Sequence, residues 1–557
     1  MTRLAGRMVA AGCSAAGFAL AVAMVQTIEA RSRGTAAAQP PCLVQLDAGA
    51  VQGVDSGAAC TFLAIPYGAS TGGANRWRAP QPATPWTPSI LPANVPPQSC
   101  ASFSAAGTPT GVEDCLKLNV WVPNPLPSGA PVIVWIHTGS FTSASANFAG
   151  TNGRKLAEET GLIVVEPNYR LGPFGFLSHA ALAAEDAHGS SGNYGLLDQQ
   201  AALRWVRDNI ARFGGDSANV TLGGTSAGGQ STGFHLVSPG SAGLFHRAIV
   251  QSAYPTTRWT SAQEAQLQGA ALATALGCTD PAQVPACLRS QPQNAILNAL
   301  PVAPSQVVEP PGRVFWEPIV DGVVVPDQPR VLFESGAFLH VPTIVGFNRD
   351  EGWGPFITRS FQAGVTAQSY EAWVMSEFGD YGADVIARYP AAAFSSPAEA
   401  MARVTGDAQF VCEARRLARS IERSGTPVFL YSYEFEIDAL SLDHVIHGLE
   451  SHIVFGNNYT PPLFAAHTLD AADLALHGQM AGYWTRFSGS GNPNADDDTI
   501  VHWPAFKHPS GNGRGSDKYL VFDQSIREGL RPAEAACDFF EPLFLRSVLV
   551  GVPASAK

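Results

Sequence analysis

The chain has 557 residues, of which 46% are hydrophobic and 14% charged, enough for a large core and unlike a disordered polymer. Its 34 basic and 46 acidic side chains leave a net charge of −12. Polyanions are repelled on average, so nucleic acid is not expected as a partner.

In chain order, Arg3 and Arg7 precede an apolar, Ala-rich run from Met8 to Val25. Small residues follow, with cleavage sites at Ala36-Ala37-Ala38 and, earlier, at Ala30. Residues 1–38 therefore read as a secretory signal, with 39–557 as one large domain exported to the periplasm or beyond. The run is mostly Ala and Gly, too weakly hydrophobic for a stable membrane anchor, and no other stretch reads as a transmembrane helix. Of nine Cys, Cys13 is lost with the leader. An even set in an exported chain suggests disulfides. Sequence neighbours suggest Cys42–Cys60, Cys100–Cys115 and Cys278–Cys287, leaving Cys412–Cys537. Eight Cys permit about 105 connectivities. The absence of a close C-x-x-C pair argues against a metal cluster.

Short strands and Gly turns from Val44 to Pro66 predict an antiparallel meander, followed by a Pro-rich irregular stretch to Gln98. Leu118 to Val122 reads as a strand. Val132 to Ile136 is continuously apolar and β-branched, the pattern of a strand buried on both faces of a parallel sheet. Leu162–Val165, Val220–Leu222, Arg247–Val250, Thr343–Gly346 and Val428–Tyr433 repeat it. Asp198 is placed to cap a helix with Leu203, Val206 and Ile210 on one face, ended by Gly214-Gly215. Alternating strands and helices predict a mostly parallel α/β sheet flanked by helices. The segments from Tyr254 to Val341 and Trp353 to Gly425 read as helical, loop-rich insertions that wall one face of it.

Gly224-Thr225-Ser226-Ala227-Gly228 matches G-x-S-x-G and falls between a buried strand and a predicted helix. A sharp turn there would push the Ser226 hydroxyl out at the carboxyl end of the sheet, where crowding admits only small neighbours. The Ala227 N–H could then donate to an oxyanion. After the strand Val132–Ile136 comes His137-Thr138-Gly139-Ser140-Phe141, at the place of a glycine-rich oxyanion loop. Gly139 and Ser140 are the expected backbone donors. Thr138 and Ser140 stand where glycines are usual, and His137 is expected to pack structurally.

With these residues the chain resembles the type-B carboxylesterase and lipase family of the α/β-hydrolase superfamily, which includes the cholinesterases. Phe213-Gly214-Gly215, Val220-Thr221-Leu222 and Gly224–Gly228 match its serine signature. Glu113 to Val120 is similar to its second signature, with Lys117 as a departure. Asn168–Gly172, Gly192–Gln199 and Gln251-Ser252 also look familial. The resemblance runs from Val44 to Leu543 and implies a serine carboxylic-ester hydrolase without metal or organic cofactor, acting on a small-molecule ester. It further implies the bridges Cys100–Cys115, Cys278–Cys287 and Cys412–Cys537, and a structural Arg76–Glu113 ion pair.

The resemblance also supplies the rest of a triad. Asn348-Arg349-Asp350-Glu351-Gly352 is similar to the family's acid motif, making Glu351 the acid and Asp350 its fallback. His447-Gly448, ahead of Glu450 and Phe455-Gly456, is similar to the base motif, so His447 is preferred to the nearby His444 and His452. His452 is expected at the gorge wall or the surface. The stretch Ala101–Asp114 has Phe103 and no Trp, which argues against choline esters. Thr225 replaces a frequent Glu beside the serine, which removes a charge. The competing readings are a lipase acting on aggregated lipid, a peptidase, and an inactive adhesion-type homologue; the last typically lacks a triad member, whereas all three are present here.

Overall fold

The run Val132–Ile136 lacks polar positions because both its faces are covered. Val132, Val134 and Ile136 join one apolar layer with Leu203, Phe234 and Leu417. Ile133 and Trp135 point the other way, into a second layer with Leu156, Ile453 and Trp484. This is the period-two alternation of a strand sandwiched between two helical layers. The computed structural model describes residues 41–104, 107–301, 315–353, 364–437, 440, 444–460, 465–495, 500–508 and 517–550. The predicted leader, with Cys13, lies outside the described residues, as do parts of both predicted insertions.

Among the described residues the central sheet has 11 strands. In chain order they are β1 (Val54–Asp55), β2 (Ala59–Pro66), β3 (Lys117–Pro123), β4 (Ala130–Ile136), β5 (Ile163–Pro167), β6 (Gly215–Thr225), β7 (Arg247–Gln251), β8 (Thr343–Asn348), β9 (Val428–Tyr433), β10 (Lys518–Phe522) and β11 (Arg527–Leu530). Across the sheet they run β11-β10-β9-β8-β7-β6-β4-β5-β3-β2-β1. Strands β4 to β10 are mutually parallel; β11 at one side and β3, β2 and β1 at the other are antiparallel additions. The chain steps from β4 outward to β5, then returns to lay β6 on the opposite side of β4. The carboxyl ends of β4 and β6 therefore border a topological switch point, where open α/β sheets form their ligand crevice.

The differences from the sequence reading are local. The helix expected to be capped by Asp198 begins five residues earlier, spanning Tyr194–Asn209 with Asn193 before it. Asp198 is not its cap. It is fully buried and takes Arg170 in a bidentate pair, with Nη2–Oδ1 at 2.6 Å and Nε–Oδ2 at 2.7 Å. The capping reading relied on local sequence, whereas Arg170 arrives from the far end of β5. Gly214, at φ 84°, does close the following turn. The Pro-rich stretch contains a short strand, Ile90–Pro92, paired parallel to Gly49–Gln52. The hairpin of β10 and β11 was not foreseen, since five apolar-mixed residues are ambiguous without their partner.

Disulfides join Cys42 to Cys60, Cys100 to Cys115, Cys278 to Cys287 and Cys412 to Cys537. The last ties the helix Cys412–Arg423 to the helix Glu534–Val550. No helix among the described residues is long and apolar enough to cross a membrane.

Candidate active site

Strand β6 ends at Thr225, and a helix spans Ala227–Val237. Ser226 is the single residue between them, at φ 57° and ψ −122°, a backbone conformation that L-residues rarely hold. Two positions to either side of Ser226, only glycine fits. A Cβ on Gly228 would lie 1.9 Å from the Ile136 carbonyl oxygen, and one on Gly224 would lie 2.5 Å from the Gly228 carbonyl carbon. The Ser226 turn thus nests directly on the end of β4. The Ser226 N–H donates to Gln251 O at 3.0 Å, which ties it to the end of β7.

Beyond β4 the chain turns through Gly139 (φ 113°), Ser140 (φ 51°) and Phe141 (φ 58°). The Gly139 carbonyl accepts from the N–H groups of Thr142 and Ser143, each at 3.0 Å, and from the Ser143 hydroxyl at 3.0 Å. The N–H groups of Gly139, Ser140 and Ala227 find no acceptor among the described residues. His137 is fully buried, stacked 4.4 Å from Tyr169, and its pKa is lowered to about 4 by burial, so it is a neutral packing element.

At the neighbouring strand ends, Glu351 follows β8 and is fully buried. One of its oxygens accepts the Asn348 N–H at 2.7 Å, and the other lies 2.5 Å from His447 Nδ1. His447 keeps a small opening, its side chain being 12% exposed. Burial alone would lower its pKa. The Coulomb field and hydrogen bond of Glu351, with Glu450 adding, outweigh burial and hold it above the usual imidazole value. Phe410 packs edge-on against the imidazole, ring centres 5.1 Å apart. Ser226 and His447 stand at the same rim, but no hydrogen bond of 3.5 Å or less joins them.

The competitors of Glu351 and His447 have other employment. Asp350 Oδ2 accepts the Val445 N–H at 2.9 Å and Arg349 Nε at 2.9 Å, so it anchors the loop that carries His447. His444 stacks on Trp353 at 4.3 Å. His452 is 2% exposed and stacks on Tyr459 at 4.2 Å, which corrects its expected place at a gorge wall or surface. Arg76 and Glu113 form a bidentate pair, and Arg76 also donates to the carbonyls of Leu288, Arg289 and Gln291.

Sequence reasoning passed over Asn348 and Glu450. Glu450 is fully buried and accepts from Asn348 Nδ2 at 2.7 Å, Ser252 Oγ at 3.0 Å and Gln251 Nε2 at 3.2 Å. Burial first, then the nearby Glu351 charge, raises its pKa. The available signal was spacing: Asn348 stands three residues before Glu351, and Glu450 three after His447. Elsewhere, His467, Asp470 and Asp473 gather three possible ligand atoms within 4.8 Å. Their carboxylates already cap the helix Ala471–Ser490, accepting from the N–H groups of Asp470, Ala472 and Asp473.

A serine on a strand-to-helix turn, at the switch point of a largely parallel sheet covered on both faces, defines the α/β-hydrolase fold. The model of the Carboxylesterase family matches residues 40–539, nearly the whole chain. The chain belongs to that family and is a carboxylic-ester hydrolase.

Proposed function

We propose that this is an exported serine carboxylesterase working through Ser226, His447 and Glu351. His447 takes the Ser226 proton as the hydroxyl attacks the ester carbonyl. The carbonyl oxygen, now negative, accepts from the N–H groups of Gly139, Ser140 and Ala227. The tetrahedral intermediate collapses, the alcohol leaves with the proton from His447, and the acyl group stays on Ser226. Water, deprotonated by His447, releases the acid by the same route. Glu351 holds the imidazole with Nδ1 protonated and stabilises its cationic form.

The observation that carries this reading is the Glu351–His447 contact of 2.5 Å at the rim where Ser226 stands in its strained turn. Export is supported by the leader pattern in residues 1–38 and by four disulfides. The substrate is a small-molecule ester without a quaternary ammonium.

The test is Ser226→Ala, assayed on a short-chain p-nitrophenyl ester and with a fluorophosphonate label. Both turnover and labelling should vanish while the circular dichroism spectrum is unchanged. Residual turnover at the parent rate would remove Ser226 as the nucleophile. N-terminal sequencing of the exported protein should begin after Ala38 or Ala30; a start at Met1 would contradict cleavage.

A further inference from the structure

The residue before the nucleophile is threonine, and it is not idle. Thr225 is 3% exposed and Ser451 2%, and their hydroxyl oxygens lie 2.7 Å apart. Thr225 ends β6. Ser451 stands on the helix Leu449–Phe455, which begins two residues after His447. Its neighbour Glu450 is gripped by Gln251 and Ser252 from the end of β7 and by Asn348 from the end of β8. The pair Glu450-Ser451 is therefore held by three adjacent strand ends, and the Thr225 bond reaches the strand that carries Ser226.

This matters because no hydrogen bond of 3.5 Å or less ties Ser226 directly to His447. Their relative position depends on the frame around them, and a misplacement of about 1 Å can cost about 10²-fold in rate. The link is also neutral. Glu351 and Glu450 already stand beside His447 as buried carboxylates, and a further one at position 225 would add like-charge repulsion in a region of low dielectric. Two hydroxyls satisfy one another there without a charge.

We propose that Thr225 is a positioning residue: through its hydroxyl bond to Ser451 it sets the separation between the Ser226 turn and the His447 loop. This rests on the triad proposed above. The loss of either hydroxyl should loosen the same link, so the two losses should not multiply.

The experiment is steady-state kinetics on p-nitrophenyl butyrate for the full mature chain and for Thr225→Val, Ser451→Ala, the double variant and Thr225→Ser. Each single variant is expected to lose about tenfold in kcat with KM nearly unchanged, the double variant to be no slower than the worse single, and Thr225→Ser to recover. A kcat within about threefold of the parent in Ser451→Ala, a multiplied loss in the double variant, or a change carried by KM would overturn the proposal. Should Thr225→Val not fold, Ser451→Ala decides alone, since it removes only one oxygen. Failure of the triad itself has a different signature: an inactive parent or an active Ser226→Ala.

Discussion

The imidazole of His447 and the carboxylate of Glu351 meet at 2.5 Å, with the carboxylate fully buried and the imidazole reaching the surface at one edge. The two side chains come from loops that pair along their backbones: Asp350 N–H donates to Val445 O at 3.0 Å, and His447 N–H to Trp353 O at 3.3 Å. The contact is therefore held by the backbone as well as by the charges.

Activity should depend on pH through this pair. In the proposed mechanism only neutral His447 can accept the serine proton, and its pKa is raised by Glu351 and Glu450 despite burial. The acid limb of kcat/KM should therefore have its midpoint above the ordinary imidazole value of about 6.5. Glu351→Gln removes the charge and leaves the desolvation. The midpoint should then fall below that of the parent, and kcat should drop by about 10²–10⁴-fold as the tautomer is no longer enforced. A limb that does not move in Glu351→Gln would disprove the pairing.

The loop after β4 gives a second expectation. A Cβ on Gly139 would come within 2.2 Å of Ser143 O, at a φ of 113° that alanine resists. Gly139→Ala should displace the free N–H groups and lower kcat by about 10²–10³-fold, the loss of about one oxyanion donor. Ser140→Gly is the control: Ser140 holds φ 51°, which glycine adopts freely, so activity should survive. Equal rates for both variants would show that this loop does not serve the oxyanion.

Acid should destabilise the fold through buried imidazoles. Burial lowers His137 to about 4 and His235 and His452 to about 3. The unfolded chain binds these protons more readily, so their stabilising effect is complete above about pH 6.5 and is lost progressively as pH falls below it, by about 1.4 kcal/mol per imidazole per pH unit. Urea unfolding at pH 7.5, 6.5 and 5.5 measures this. His235→Asn should flatten the dependence, because His235 is held neutral between Ser241 Oγ and Gln199 Oε1, both at 2.8 Å. An unfolding free energy independent of pH over that range would contradict it.

The bridges should differ in value. Cys412–Cys537 spans 125 residues of sequence and Cys278–Cys287 spans 9. Loop entropy assigns the first about 5 kcal/mol and the second about 3 kcal/mol. Replacing Cys412 and Cys537 by serine should lower the melting temperature more than the same change at Cys278 and Cys287. The reverse order would mean that native packing, not chain entropy, sets their contribution.

Much of this protein is legible along the chain. Val132–Ile136 announces a doubly covered strand because every position in it meets an apolar layer. Gly224-Thr225-Ser226-Ala227-Gly228 announces the serine turn because the crowding against Ile136 is local and only small residues satisfy it. The proposed order Ser226, Glu351, His447 is readable only through the resemblance of their motifs to the family's, since His447 lies on a loop fourteen residues beyond the end of β9.

Other relationships have no local signature. Asp198 reads as a helix cap until Arg170 is brought across to it. Asp350 and Glu351 are adjacent carboxylates on one loop, and only the folded chain turns one toward the backbone of Val445 and the other toward His447. His452 lies in the same short stretch as His447, yet the packing of Tyr459 removes it from the rim. The sequence by itself determined the buried parallel strands from β4 to β9, the serine turn and the residue types available for chemistry, since those follow from periodicity and from short-range sterics. The tertiary structure alone decided which acid meets which imidazole, and that Thr225, Glu450 and Asn348 join one hydrogen-bonded frame, because such contacts depend on strand order and on burial shared by residues far apart in the chain.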